Sequence, residues 1–132
     1  MADKFSKKTR SYIMSRIRGK RTKPELMLKD VLDGRVFRYQ PKGILGNPDF
    51  ASKKHGVAVF IDGCFWHGCP KCYREPKSNR KFWIRKVRGN RDRDRVYTRR
   101  LRAGGYNVIR LWEHQVLENP RKLAIKINKT IA

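Results

Sequence analysis

The chain has 132 residues, enough for one domain around one hydrophobic core. Lysine and arginine number 34 against 11 aspartates and glutamates, a formal net charge of +23, so the surface repels itself unless a polyanion neutralises it, and nucleic acid is the first candidate. No stretch approaches the roughly 18 consecutive apolar residues of a membrane span, and the opening MADKFSKKTR lacks the apolar core of a secretion signal, so a cytoplasmic protein is expected.

Residues 1–23 carry nine basic residues and one acid, and 1–22 read as a basic N-terminal arm or helix ahead of a domain over 23–132. KRTKPE predicts a helix start: Thr22 as cap, Pro24 in the first turn and Glu25 in the capping-box position. Leu26, Leu28, Val31 and Leu32 supply its apolar face, and Asp33-Gly34 ends it. RVFRYQ alternates as a strand, PKGILGNP is a loop, and DFAS and GVAVFI are the next strands, the second apolar enough to be central. FIDGCFWHGCPKC follows from its end. A helix is predicted from Ser78 to Ala103, with a bend at Gly89-Asn90 and a stop at Gly104-Gly105. YNVIRLWEH is a fourth strand, and NPRKLAIKINKTI closes the chain as a helix, with Leu123 and Ile127 at helical spacing. The order predicts an α/β fold, a small mixed central sheet flanked by helices.

The cysteines of the knuckle, spaced C-x4-C-x2-C, are too close and too odd in number for a disulfide framework and read as a metal site. Either His67, inside the run, or a residue far away completes it. Asp49 and Asp62 sit at the ends of neighbouring strands, where two carboxylates can converge on a hard cation such as magnesium; in isolation, two turn-capping aspartates would be the better explanation, but the +23 surface and His67 weaken it. The long helix holds eleven basic residues from Arg80 to Arg102, and Arg88, Arg91, Arg95, Arg99 and Arg102 can form one stripe that tracks phosphates, or a solvated face paired locally with Asp92 and Asp94. Phe65-Trp66 and Phe82-Trp83 each place two aromatics together. One of each pair suits the core, and the other could stack on bases or wedge between them.

Taken in order, MSRIRGKRTKPE, GNPDF, FIDGCFWHG, FWIRKVRGNRDRDR and RLWEH resemble the very-short-patch-repair (Vsr) DNA mismatch endonucleases, over roughly residues 9–118. The resemblance implies a restriction-endonuclease-like fold, a structural zinc ion, a magnesium-dependent active site, and nicking of duplex DNA at a T:G mismatch left by deaminated 5-methylcytosine. It implies a monomer that works beside mismatch-repair proteins and a DNA cytosine methyltransferase system, with no membrane partner. Carried onto this chain it makes Asp49 the magnesium ligand together with the Ile61 carbonyl, His67 the general base, Glu25 an acidic catalytic residue, and Phe65, Trp66 and Trp83 the aromatic wedge. Three departures stand out. Asp62 replaces a frequent histidine, which makes it a candidate second magnesium ligand. Cys69 takes a place usually given to histidine, and His114 takes that of a cysteine after Trp112-Glu113. The zinc set implied is therefore Cys64, Cys69, Cys72 and His114, leaving His67 for catalysis. A nuclease of the same fold acting on other DNA is the nearer alternative. A non-catalytic zinc nucleic-acid-binding protein would leave Asp49 and Asp62 unexplained.

Overall fold

The computed structural model describes residues 22–74 and 76–131. The expected basic arm lies outside them, Thr22 excepted. The elements run α1 (Lys23–Val31), β1 (Arg38–Tyr39), β2 (Phe50–Ser52), β3 (Val57–Asp62), α2 (Arg80–Ala103), β4 (Asn107–Trp112), α3 (Glu113–Glu118) and α4 (Pro120–Asn128). The four strands form one mixed sheet in the order β1-β2-β3-β4, with β3 and β4 parallel and the other pairs antiparallel.

Period-2 alternation along β3 builds two cores. Val57 and Val59 face α1, α3 and α4, where Leu28, Leu32, Phe37, Phe50, Leu111, Val116, Leu123 and Ile127 close the main cluster. Ala58 and Phe60 face α2 and pack with Ile44, Ala51, Leu101 and Val108. The α2 side is apolar at the start of β3 and β4 and polar at their ends, where Asp62 and Arg110 emerge. The site is therefore built on the C-terminal edge of a parallel strand pair.

Four local expectations change. Glu25 does cap α1, accepting both the backbone N–H and the hydroxyl of Thr22, but Leu26 on that helix is exposed. The strand expected over RVFRYQ shrinks to Arg38–Tyr39, because Asp33 accepts backbone N–H groups from Arg35, Val36 and Phe37 and holds a turn there. Gly89-Asn90 makes no break in α2, which runs unbroken from Arg80 to Ala103. Glu113-His114 do not continue β4; they open α3, since Gln115 reaches back to accept the Trp112 N–H. Among the described residues no helix is long and apolar enough to cross a membrane.

Candidate active site

Asp49 stands just before β2, its N–H bound to the Val59 carbonyl at 2.9 Å, and its carboxylate accepts the Ile61 N–H at 2.7 Å. Burial, then the neighbouring Glu25 and Asp62 carboxylates, push its pKa up to about 8 despite that hydrogen bond. Glu25 is itself buried, which works to raise its pKa. Hydrogen bonds from the Thr22 hydroxyl and N–H and from Gln40 Nε2 outweigh that and hold it below the usual range. No ion pair to either Asp49 or Glu25 is found among the described residues. A buried carboxylate pair with no cation among the described residues fits a divalent ion bound by oxygen ligands.

Asp62 closes β3 on the α2 side, 7 % exposed. Its Oδ1 accepts from Arg110 Nη1 at 2.8 Å and lies 3.9 Å from His67 Nδ1. Burial raises its pKa, with Arg110 and then His67 opposing. His67 Nδ1 is hydrogen-bonded to the Asp94 carboxylate. Asp49, Asp62, His67 and Asp94 line one cleft of about 640 Å³, with Asn47, Arg93, Tyr97 and Arg110.

From sequence alone, Asp94 is a local ion-pair partner on a charged helix. Trp83, Val87, Asn90 and Leu101 form the buried stripe of α2, and Asp94 falls on it, four residues after Asn90. A carboxylate on the inward stripe of so basic a helix was the available signal. Asn90 belongs to the same device: its Nδ2 donates to the Trp66 carbonyl at 2.8 Å, next to His67. The position expected to bend the helix instead fastens the knuckle to it.

The knuckle is a run of turns from Cys64, anchored by Cys64 N–H to Glu113 Oε1 at 2.9 Å. The Sγ atoms of Cys64, Cys69 and Cys72 lie 3.3, 3.6 and 3.3 Å from His114 Nδ1. A tetrahedral zinc bound by sulfur at about 2.3 Å and nitrogen at about 2.0 Å has S···N edges near 3.6 Å, so the four residues are compatible with a zinc site. At Cys69 burial opposes ionisation, but backbone N–H groups of Cys72 and Lys71 win, and the thiol shifts down toward the ligating form. His67 belongs to the other cluster, with Asp62 and Asp94.

Gly68 joins the two clusters at φ +66°, and a Cβ there would sit 2.8 Å from Val87 Cγ1. Gly68→Ala is thus expected to force the knuckle off α2 and lower stability by about 1–3 kcal/mol. Denaturant unfolding measures this; an unchanged midpoint contradicts it.

Phe65 lies 5.2 Å from Trp66 and 5.3 Å from Trp83, ring centre to ring centre, and Trp83 is 8 % exposed beneath them. Of the Phe82-Trp83 pair, Phe82 is the exposed member at 49 %. Arg88, Arg91 and Arg95 line one groove with Tyr73 and Asp92; Arg99 is exposed further along α2.

Residues 2–74 match the family model described as DNA mismatch endonuclease Vsr. The chain is 39% identical to the type II nicking enzyme V.NmeDIP of Neisseria meningitidis serogroup C, covering 98% of this chain and 90% of the relative. It is 40% identical to V.HpaIIP of Haemophilus parainfluenzae, covering 86% and 84%, and 37% identical to the DNA mismatch endonuclease Vsr of Escherichia coli K12, covering 86% and 74%. The matched span carries Glu25, Asp49, Asp62, the knuckle and His67, and the longer alignments take in nearly the whole chain, so this protein belongs to the Vsr family and is an endonuclease that acts on DNA.

Proposed function

We propose that the protein is a magnesium-dependent endonuclease that nicks one strand of duplex DNA at a T:G mismatch. The observation that carries this reading is the meeting, in one cleft, of a histidine backed by a carboxylate with the buried Asp49 carboxylate, which neighbours Glu25 and has no ion pair among the described residues. Asp94 at Nδ1 fixes the His67 tautomer and leaves Nε2 as the acceptor, so His67 can take a proton from the attacking water. Asp49, with the Ile61 carbonyl, would hold magnesium, which when bound polarises the phosphate and stabilises the leaving oxygen. Glu25 keeps Asp49 in place from α1. Zinc on Cys64, Cys69, Cys72 and His114 is closed and structural; its part is to aim His67.

Phosphates cannot distinguish a mismatch, since every site offers the same ones. Deformation can: a T:G wobble costs less to pry open, within a total of a few kcal/mol. Phe65 and Trp66, half-buried and backed by Trp83, are placed to wedge there, while Arg88, Arg91, Arg95 and Arg99 track the backbone. Trp66→Ala is expected to lower the mismatch-to-matched binding ratio more than binding to matched duplex. Arg95→Ala is expected to weaken both equally and reduce the salt slope by about one counterion. Binding isotherms on paired oligonucleotides at several salt concentrations, beside a thermal melt, separate a wedge from a core residue. The overall reading is tested by nicking of T:G and matched duplexes that are otherwise identical, with and without magnesium. Equal cutting of both would make the protein a nuclease of the same family with a different target.

A further inference from the structure

The cleft contains a cation of its own. Arg110 leaves β4 on the α2 side, opposite Phe60 in the parallel register, and only 22% of its side chain is exposed. Its Nε donates to Thr98 Oγ1 at 2.7 Å, and Nη1 donates to Asp62 Oδ1 at 2.8 Å and stands 3.8 Å from Asp94 Oδ1. Nη2 reaches the Asp94 carbonyl at 3.5 Å, and the guanidinium carbon lies 4.1 Å from the centre of the Phe60 ring. Arginine stays charged in proteins, so this is a permanent positive centre in a fixed orientation.

Asp49, which neighbours the buried Glu25, shares the cleft with Asp62 and Asp94, and the charges of these carboxylates are met differently. Asp62, His67 and Asp94 present ligand atoms within 4.8 Å of one another, a spacing a divalent ion could use. The guanidinium already touches both carboxylates of that group, so an added ion would meet an adjacent fixed cation and would have to break the Asp62–Arg110 pair. Asp49 and Glu25 have no cation among the described residues, and the Asp49 carboxyl is partnered by an N–H group and by Glu25.

Building on the nuclease reading above, we propose that the site takes a single catalytic divalent ion, at Asp49, and that Arg110 fills the place of a second one. Asp62 is then the residue that seats Arg110, and it does not ligate the ion. Of the five guanidinium N–H groups, the three bonds to Thr98, Asp62 and Asp94 engage three and leave two to meet the oxygens of a phosphodiester in the cleft.

Manganese binding to the zinc-loaded protein, followed by electron paramagnetic resonance, tests this without reference to turnover. The wild type should bind one manganese ion. Asp49→Asn should lose it, Asp62→Asn should keep it, and Arg110→Met should gain a second. Arg110→Lys, which retains the charge without the fork, should stay at one and nick at least tenfold more slowly. Two ions on the wild type, loss of the single ion in Asp62→Asn, or no second ion on Arg110→Met would each overturn the proposal. If Arg110→Met does not fold, the contrast between Asp49→Asn and Asp62→Asn decides. Failure of the nuclease reading looks different: no manganese signal and no nicking in the wild type, which would overturn both.

Discussion

Asp49→Asn is expected to lower nicking by about a thousandfold or more, while zinc content and DNA binding stay at wild-type levels. The substitution keeps the shape and an acceptor oxygen for the Ile61 N–H, but removes the charge that would hold the ion. Lewis-acid stabilisation of a phosphoryl transition state is worth several kcal/mol, and each 1.36 kcal/mol is about tenfold in rate. The variant should also be the more stable protein when no divalent ion is present. The wild-type Asp49 carboxyl is held at about 8 against an ordinary 3.8. The folded protein therefore keeps this proton where the unfolded chain releases it. Its contribution to stability is full below about pH 4 and is lost as pH rises toward 8. Asparagine has no proton to lose, so its unfolding midpoint should not fall with pH on this account. Unfolding curves at pH 5 and pH 8 in chelator, beside a single-turnover nicking assay, check both halves. Nicking at near the wild-type rate would end the assignment of Asp49.

His114→Ala and His67→Ala should fail in opposite ways. A structural zinc contributes on the order of 10 kcal/mol to the folding of small modules, comparable to the whole stability of a domain. His114 is the one member of the Cys3His cluster that lies outside the knuckle, joining α3 to Cys64, Cys69 and Cys72. Its removal should leave zinc well below one per chain and a protein that unfolds at far lower denaturant. His67→Ala should keep its zinc and its midpoint and lose about 10²–10⁴-fold in rate, the usual worth of a positioned base. Metal analysis of both purified variants decides the matter. Zinc lost with His67 and kept without His114 would make the knuckle purely local and leave the cleft without its base.

Local pattern was legible wherever neighbouring residues determine the outcome. Thr22 and Glu25 announced the α1 cap, the apolar run before Asp62 announced a central strand, and the cysteine spacing announced the knuckle. The α3 boundary was missed because the alternation of YNVIRLW carries into Glu113-His114, and the Gln115 side chain that ends the strand is a competing local bond. Asp94 and Arg110 were missed for a different reason. Their partners, His67 and Asp62, lie 27 and 48 positions away, and only the packing of α2 over the parallel pair brings them together. Among so many arginines nothing in composition marks Arg110 as the one that turns inward.

The parallel pair opposes Asp62 to Trp112, and Cys64 and His114 each follow two residues later. A slip of one residue between β3 and β4 would move the two ligands apart by about 3.3 Å and turn Arg110 away from Asp62 to the other face. Four-ligand coordination tolerates no such displacement. A metal ion held by these four residues would therefore check strand alignment during folding: misaligned chains could not close the site and would gain none of its stabilisation. Parallel pairs joined by a long crossover are slow to form, and such an ion would reward correct pairing at the edge of the sheet that carries the proposed site.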